Sequence, residues 1–130
     1  MDKYLRPGET FKRLLKEYEK YGSLVISCDF DGTIHDYHKE GEIYSDVKQL
    51  LRDLKSINCK IIIWTAYRDL VFVQKYCEDN NIPCDGVNSE GIPLPWYSRK
   101  PFFSALLDDR AGLISVYKDL RKLVETIKNN

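Results

Sequence analysis

Apolar residues recur along the chain in two patterns, one typical of helices and one typical of buried strands. Over residues 10–21 they stand at helical spacing after a Pro-Gly break, which predicts an amphipathic helix with Thr10 as its cap and Gly22 at its end. The short, β-branched run over residues 24–28 is typical of a strand that is buried on both faces. The chain therefore begins with a helix that leads into a buried strand.

The same alternation continues to the end of the chain. The later predicted elements are a helix around residues 47–54, a strand at 60–64, a helix at 70–80, a weak strand at 84–88, an apolar run at 102–107 and a helix at 115–128. Strands that alternate with helices favour parallel pairing through right-handed crossovers. The pattern predicts a single domain over residues 1–130, an α/β protein built as a three-layer α/β/α sandwich around a central parallel, Rossmann-like sheet.

Composition and charge fit this picture and disfavour several other classes of protein. The chain has 130 residues, of which 43% are hydrophobic and 31% charged, as in an ordinary globular domain. Twenty basic residues balance twenty acidic ones, so no global field would attract nucleic acid or an anionic membrane. No apolar run approaches the length of a membrane span and no secretory signal is recognisable, so we expect a cytoplasmic protein without a membrane partner. The four cysteines lack metal-binding spacing and are expected to be reduced, mostly buried thiols.

Polar residues stand where three of the apolar runs end. Asp29 follows the first strand, Thr65 follows the second, and the pair Asp108-Asp109 follows the last run. Because the carboxyl ends of parallel strands lie along one edge of a sheet, we expect these residues to meet at a ligand-binding crevice. Adjacent carboxylates repel each other by roughly 4 kcal/mol at about 4 Å and an effective dielectric near 20, and a divalent cation relieves this repulsion. An all-oxygen set of ligands favours Mg²⁺ over zinc.

The same residues carry a resemblance to a known family. The sequence CDFDGT over residues 28–33 resembles the first signature of the haloacid dehalogenase superfamily, and Thr65 after KIIIW resembles the second. Lys100 resembles the third signature, and DDRA from Asp108 onward resembles the fourth, in the K-P-x-x-x-A-x-x-D-D-R-A arrangement of small capless members. The resemblance spans residues 24 to about 113. It implies a capless, Mg²⁺-dependent phosphomonoesterase that acts on a phosphorylated substrate.

The resemblance also implies a role for each matched residue. Asp29 would be the nucleophile that forms an aspartyl-phosphate, and Asp31 would protonate the leaving oxygen and then activate water. Thr65 would hydrogen-bond the phosphoryl oxygens, and Lys100 would neutralise their developing charge. The implied Mg²⁺ ligands are Asp29, Asp31 through its backbone carbonyl, Asp108, and Asp109 as either a ligand or an orienting acceptor. The further phosphate-binding candidates are Gly32, Thr33, Ala66 and Arg68.

Several other side chains have two interpretations. His35 and His38 follow the nucleophile in a polar loop, where they either touch substrate or are simply exposed. Trp96 and Tyr97 precede a basic Ser-Arg-Lys sequence and form either a stacking platform for a base or aromatic packing within an ordered loop, and we favour packing. Asn88 either contacts substrate or forms a cap or turn at a strand end.

Two other functions stay open beside phosphomonoester hydrolysis. One is a binding or regulatory module that has kept the fold without turnover, which the complete set of matched residues opposes. The other is a phosphatase that processes nucleic-acid ends, with nucleic acid as the partner, and residues 96–100 are the only indication of it. The acid at Asp31 argues against a dehalogenase or a cation pump, because those members lack an acid at this position. The sequence specifies neither the substrate nor the oligomeric state.

Overall fold

A four-stranded, all-parallel sheet forms the centre of the protein. The structure is a computed structural model that describes residues 1–130. The strands are β1 (Val25–Asp29), β2 (Lys60–Trp64), β3 (Gly86–Val87) and β4 (Ala105–Leu107), in the spatial order β3-β2-β1-β4. Asp29 pairs with Trp64, and Cys28 pairs with Leu107. The carboxyl ends of the three longer strands are therefore level with one another.

Four amphipathic helices flank the sheet, and each of them contributes buried side chains to its core. They are α1 (Glu9–Tyr21), α2 (Ser45–Ser56), α3 (Leu70–Asp79) and α4 (Leu113–Lys128), and a short 3₁₀ turn at Lys3–Leu5 precedes them. Helix α4 packs against both α1 and α2. The predicted α/β fold with a central parallel, Rossmann-like sheet is confirmed, with helices flanking the sheet as in a three-layer sandwich. No helix combines the length and the apolar character that crossing a membrane requires.

The ends of several elements differ from the predicted ones, and three of these differences have a clear structural cause. Helix α1 is preceded by Gly8 rather than capped by Thr10, so the predicted cap is wrong, and the Thr10 hydroxyl instead donates to Asp119 of α4. Strand β4 is shorter than the apolar run at 102–107, because the Ser104 hydroxyl takes the place of a backbone carbonyl and accepts the Val25 N–H. Helix α4 begins two residues earlier than predicted, directly after Gly112. The first two differences result from hydrogen bonds between distant parts of the chain, and the third results from the turn at Gly112.

The irregular segment between β3 and β4 lies across part of the sheet. Gly91 packs so closely on the sheet that a Cβ atom there would lie 2.6 Å from Cγ1 of Val25. The Lys60 ammonium donates to the Gly91 carbonyl over 3.1 Å and holds the segment in place. The four cysteines are free thiols, three of them buried, as predicted. No additional domain interrupts the elements around the carboxyl edge.

Candidate metal and phosphoryl site

Three carboxylates converge at the carboxyl ends of β1 and β4. Asp29 ends β1, while Asp108 and Asp109 directly follow β4. One carboxylate oxygen from each lies within 4.8 Å of the others. They meet because β1 and β4 are adjacent and parallel, so a residue at one strand end is next to the residues that follow the other. The structure thus brings together three of the four predicted metal-binding residues through their side chains.

A buried threonine connects the two acidic segments. The Thr33 hydroxyl oxygen lies 3.1 Å from Oδ2 of Asp29 and 3.3 Å from Oδ1 of Asp109, and it accepts the Asp109 N–H over 3.1 Å. Gly32 has a φ of +82°, and a Cβ atom at this position would lie only 2.9 Å from Oδ2 of Asp109. Glycine is required here both for the turn and for the close approach of Asp109. Thr33, predicted as a phosphate-binding candidate, therefore fixes the positions of the Asp29 and Asp109 carboxylates.

Burial and like charge disfavour the ionised form of Asp29. Burial contributes most and the Asp108 carboxylate next, and together with Asp109 they raise the pKa of Asp29 from the usual 3.8 to about 7. The hydrogen bond from the Thr33 hydroxyl lowers this pKa by a smaller amount. The site therefore holds more negative charge than its surroundings stabilise.

The donor set at this point fits Mg²⁺. All the groups that converge are oxygens, and the carbonyl oxygen of Asp31, two residues after Asp29, accepts no backbone hydrogen bond. Hard oxygen ligands with unbalanced negative charge are what Mg²⁺ prefers. The residues that would hold the ion are Asp29, Asp108, Asp109 and the Asp31 carbonyl.

The side chain of Asp31 lies outside this carboxylate cluster and pairs with a histidine. Its Oδ1 lies 2.7 Å from Nδ1 of His35. The backbone of this turn reinforces the pair, because the His35 N–H donates to the Phe30 carbonyl and the Gly32 N–H donates to the His35 carbonyl. The two side chains are therefore held together by a side-chain contact and by the turn that carries them.

His35 is enclosed by aromatic rings rather than exposed. Its side chain is only 17% exposed, and its ring stacks on Phe30 at 4.7 Å between centroids. Three further rings pack edge-on or nearly so around it, those of Tyr67, Phe72 and Tyr76. The expectation of a simply exposed His35 is therefore wrong. The aromatic residues Phe72 and Tyr76 of α3 were the signal in the sequence, because such rings need a partner to cover them and the loop after β1 supplies His35.

Thr65 is fixed at the end of β2 by its neighbours on both sides. Its hydroxyl oxygen accepts the Tyr67 N–H over 2.9 Å, which leaves the hydroxyl proton free to donate to a ligand. The Asn88 amide brackets its backbone, accepting the Thr65 N–H at 2.7 Å and donating to the Thr65 carbonyl at 2.8 Å. Of the two interpretations of Asn88, the structure thus supports capping of a strand end.

Two clefts open at this edge of the sheet and share Ala66. The smaller, of about 440 Å³, is lined by Asp29, Thr65 and Asp108. The larger, of about 1030 Å³, is lined by Asp31 and Arg68. The predicted nucleophile and the predicted general acid therefore face different clefts that meet at one residue.

Lys100 is not brought into the smaller cleft. It lies exposed in the loop before β4, where its N–H donates to the Ser98 hydroxyl over 3.2 Å, and the next residue, Pro101, lines the cleft instead. Trp96 and Tyr97 in the same loop are 66% and 87% exposed, so the predicted packing of these aromatics is wrong.

Comparison with one solved structure supports the fold. Neither a family model nor a curated protein matches the sequence. A solved structure of a conserved protein from Bacteroides thetaiotaomicron is similar, with a TM-score of 0.60 and 25% identity over 82% of this chain and 91% of that one. A protein from Vibrio cholerae gives a TM-score of 0.46 and 20% identity over 81% of this chain and 98% of that one. The Bacteroides protein is described only as conserved, so it supports the α/β architecture and brings no activity with it.

Proposed function

We propose that the protein is a Mg²⁺-dependent phosphomonoesterase of the haloacid dehalogenase type, with Asp29 as its nucleophile. The observation that carries this proposal is the convergence of three carboxylates at adjacent strand ends, with Asp31 held two residues further along and facing a second cleft. A nucleophile, an acid and a cation site are the groups that phosphoryl transfer through a covalent intermediate needs. The signatures in the sequence assign the same roles to the same residues.

In the first step, a carboxylate oxygen of Asp29 attacks phosphorus. The bond from phosphorus to the leaving oxygen breaks as Asp31 gives that oxygen its proton, and an aspartyl-phosphate remains on Asp29. The free hydroxyl proton of Thr65 is placed to donate to a phosphoryl oxygen. Bound Mg²⁺ would supply positive charge that keeps Asp29 ionised and neutralises the phosphoryl group.

In the second step, water takes the place of the leaving group. Asp31 is now ionised and accepts a proton from the water, whose oxygen attacks phosphorus while the bond to Asp29 breaks. His35 holds the carboxylate of Asp31 through the 2.7 Å contact, so this carboxylate keeps its orientation in both steps. His35 is thus a positioning residue that acts through Asp31.

In the proposed mechanism, Lys100 neutralises the charge that develops on the phosphoryl group. Its neighbour Pro101 lines the smaller cleft, and a lysine side chain is a flexible four-carbon stem with a point charge at its tip. The exposed position of Lys100 leaves that stem free to extend toward a bound phosphate.

The test is Mg²⁺-dependent hydrolysis of a generic aryl phosphate by the wild type, by Asp29→Asn and by Asp46→Asn as a matched control. Asp46 is an exposed aspartate in the first turn of α2 and lines neither cleft. We expect the control to match the wild type and Asp29→Asn to lose at least about 10³-fold in turnover. Equal rates in wild type and Asp29→Asn would rule out the nucleophile. No Mg²⁺-dependent hydrolysis by any of the three would favour a binding module.

A second candidate is a phosphatase for nucleic-acid ends. The exposed rings of Trp96 and Tyr97, next to a Ser-Arg-Lys sequence, favour it, because exposed aromatics beside cations stack on bases. A phosphorylated oligonucleotide is then expected to be a better substrate than the corresponding mononucleotide, and Trp96→Ala is expected to remove the difference. Equal rates for the two substrates would eliminate this candidate.

A further inference from the structure

The two clefts divide the parts of a phosphomonoester between them. Asp29, which attacks phosphorus, lines only the smaller cleft, and Asp31, which protonates the leaving oxygen, lines only the larger one. An acid must lie within hydrogen-bonding reach of the oxygen it protonates. The phosphoryl group therefore belongs in the smaller cleft, and the leaving group belongs in the larger cleft.

The larger cleft has far more room than a small leaving group needs. Its volume of about 1030 Å³ is at the upper end of the range of roughly 300–1,000 Å³ for sites that enclose drug-sized ligands. Two exposed aliphatic side chains, those of Leu70 and Val71 at the start of α3, form part of its wall. A glycerol or methyl group would leave this apolar wall in water, so the cleft suits a leaving group with a large apolar face.

Two polar side chains of the same cleft add a flat surface and a positive charge. The Tyr37 ring is 55% exposed, and its one aromatic neighbour is His38, at 5.2 Å and nearly perpendicular. The Arg68 guanidinium takes part in none of the ion pairs of the protein. The adjacent carboxylate of Asp69 is engaged at the helix cap, where it accepts the Phe72 N–H. An available ring and an unpaired guanidinium fit a planar group and an anion, respectively.

We propose that the preferred substrate is a nucleotide that carries a second phosphate, with its base on Tyr37 and the second phosphate on Arg68. This inference rests on the proposed phosphomonoesterase function and names the substrate class of that same site. The phosphate to be removed lies at Asp29, and the remainder of the nucleotide occupies the larger cleft. Arg68 and Tyr37 then determine specificity without taking part in the chemistry.

The test compares three substrates that differ by one group at a time. Adenosine 3′,5′-bisphosphate and adenosine monophosphate differ by the second phosphate, and adenosine monophosphate and glycerol phosphate differ by the nucleoside. For the wild type, each added group is expected to raise kcat/KM about tenfold, mainly through KM. Arg68→Gln should remove the first preference and keep the second, while Tyr37→Leu should remove the second and keep the first.

Matched controls and a nucleophile variant separate the possible failures. Arg6→Gln and Tyr21→Leu change exposed residues of the same types outside the cleft, and both preferences should persist in them. Hydrolysis of glycerol phosphate by Arg6→Gln and Tyr21→Leu should equal that of the wild type. Equal kcat/KM values of the wild type for the three substrates would overturn the inference about the substrate, and so would parallel losses on all three in the two cleft variants. If Asp29→Asn is inactive in the same experiment, the proposed phosphomonoesterase function is still supported. Full activity in Asp29→Asn would instead contradict the proposed function itself.

Discussion

Asp29 is subject to opposite demands from stability and from the proposed activity. Its carboxyl group is partly buried beside Asp108 and Asp109, and burial and these charges raise its pKa to about 7. A carboxylate nucleophile nevertheless has to be ionised to attack phosphorus. Sites that serve function in this way commonly reduce the stability of the fold around them. Without a bound cation, ionised Asp29 is therefore expected to destabilise the protein.

In metal-free protein at about pH 8, Asp29→Asn is expected to raise the free energy of unfolding by about 1–2 kcal/mol. The folded-state pKa of Asp29 lies above its ordinary value of 3.8. The stabilisation from its neutral form is therefore complete below about pH 4 and is lost as the pH rises through about 7. Urea unfolding in EDTA from acid to alkaline pH measures the difference between variant and wild type. A wild type more stable than the variant at about pH 8 would contradict this electrostatic cause.

The contact between His35 and Asp31 leads to a prediction that depends on the leaving group. His35→Ala should lower hydrolysis of alkyl phosphates by roughly 10- to 100-fold, because Asp31 is then no longer held toward the leaving oxygen. The kcat/KM for an aryl phosphate with a good leaving group should fall by less than about threefold, because kcat/KM reports the first step and that oxygen departs without a proton. The ratio of kcat/KM for the two substrates is the measurement.

Two further variants make this test specific. His35→Asn places an amide nitrogen near the position of Nδ1 and should restore much of the alkyl phosphatase activity. His38→Ala removes the other histidine, which is exposed, and should leave the ratio unchanged. Equal losses on alkyl and aryl substrates in His35→Ala would show that His35 supports only the fold of the loop.

At the scale of elements, the parallel register is what assembles the site. The level ends of β1, β2 and β4 bring side chains from the loops after them to one edge, and Asn88 after β3 brackets the end of β2. On the helical side, α2 and α4 are joined by an ion pair between Asp53 and Arg121 at 2.7 Å. The elements that carry no site residue thus fix the positions of the strands that do.

The ion pair between α2 and α4 predicts a component of stability that is lost in acid. Its hydrogen bond from Arg121 lowers the pKa of Asp53 below 3.8, so the stabilisation is present above that pH and disappears as the pH falls through the lowered pKa. Asp53→Asn should cost about 0.5–1 kcal/mol at neutral pH and almost nothing near pH 2. Denaturant unfolding at the two pH values measures this difference. The control is Asp79→Asn, which breaks the exposed pair with Lys75 and should change the free energy of unfolding little. If Asp79→Asn lowered the free energy of unfolding as much as Asp53→Asn, the α2–α4 pair would have no special role.

The order and type of the elements could be predicted because hydrophobic periodicity determines which faces are buried. Their ends could not, because those depend on partners far away in the sequence. Thr10 carries the composition of a helix cap, but its hydroxyl is used by Asp119, and Gly8 stands before the helix instead. Ser104 likewise ends the ladder of β4 through a side-chain hydrogen bond that no local pattern reveals.

At the scale of the whole molecule, the predictable part of the site is the part attached to strand ends. Asp29, Thr65 and Asp108 were expected to meet because the topology alone places them along one edge. The enclosure of His35 and the exposed position of Lys100 depend on loop conformations, which the hydrophobic pattern does not specify. The same holds for the larger cleft, whose walls come from two different loops and from the start of α3.

The central claim is that Asp29 carries the phosphoryl group between the two steps, and trapping that intermediate tests it most directly. In Asp31→Asn, the second step lacks its base, while an aryl phosphate with a good leaving group can still complete the first. After mixing with Mg²⁺ and this substrate and quenching in acid, mass spectrometry should find one added phosphoryl group on the peptide that contains Asp29. The same peptide from a variant that also carries Asp29→Asn should have none. A phosphoryl group on a different residue, or release of phosphate at the wild-type rate by the Asp29→Asn variant, would contradict the account.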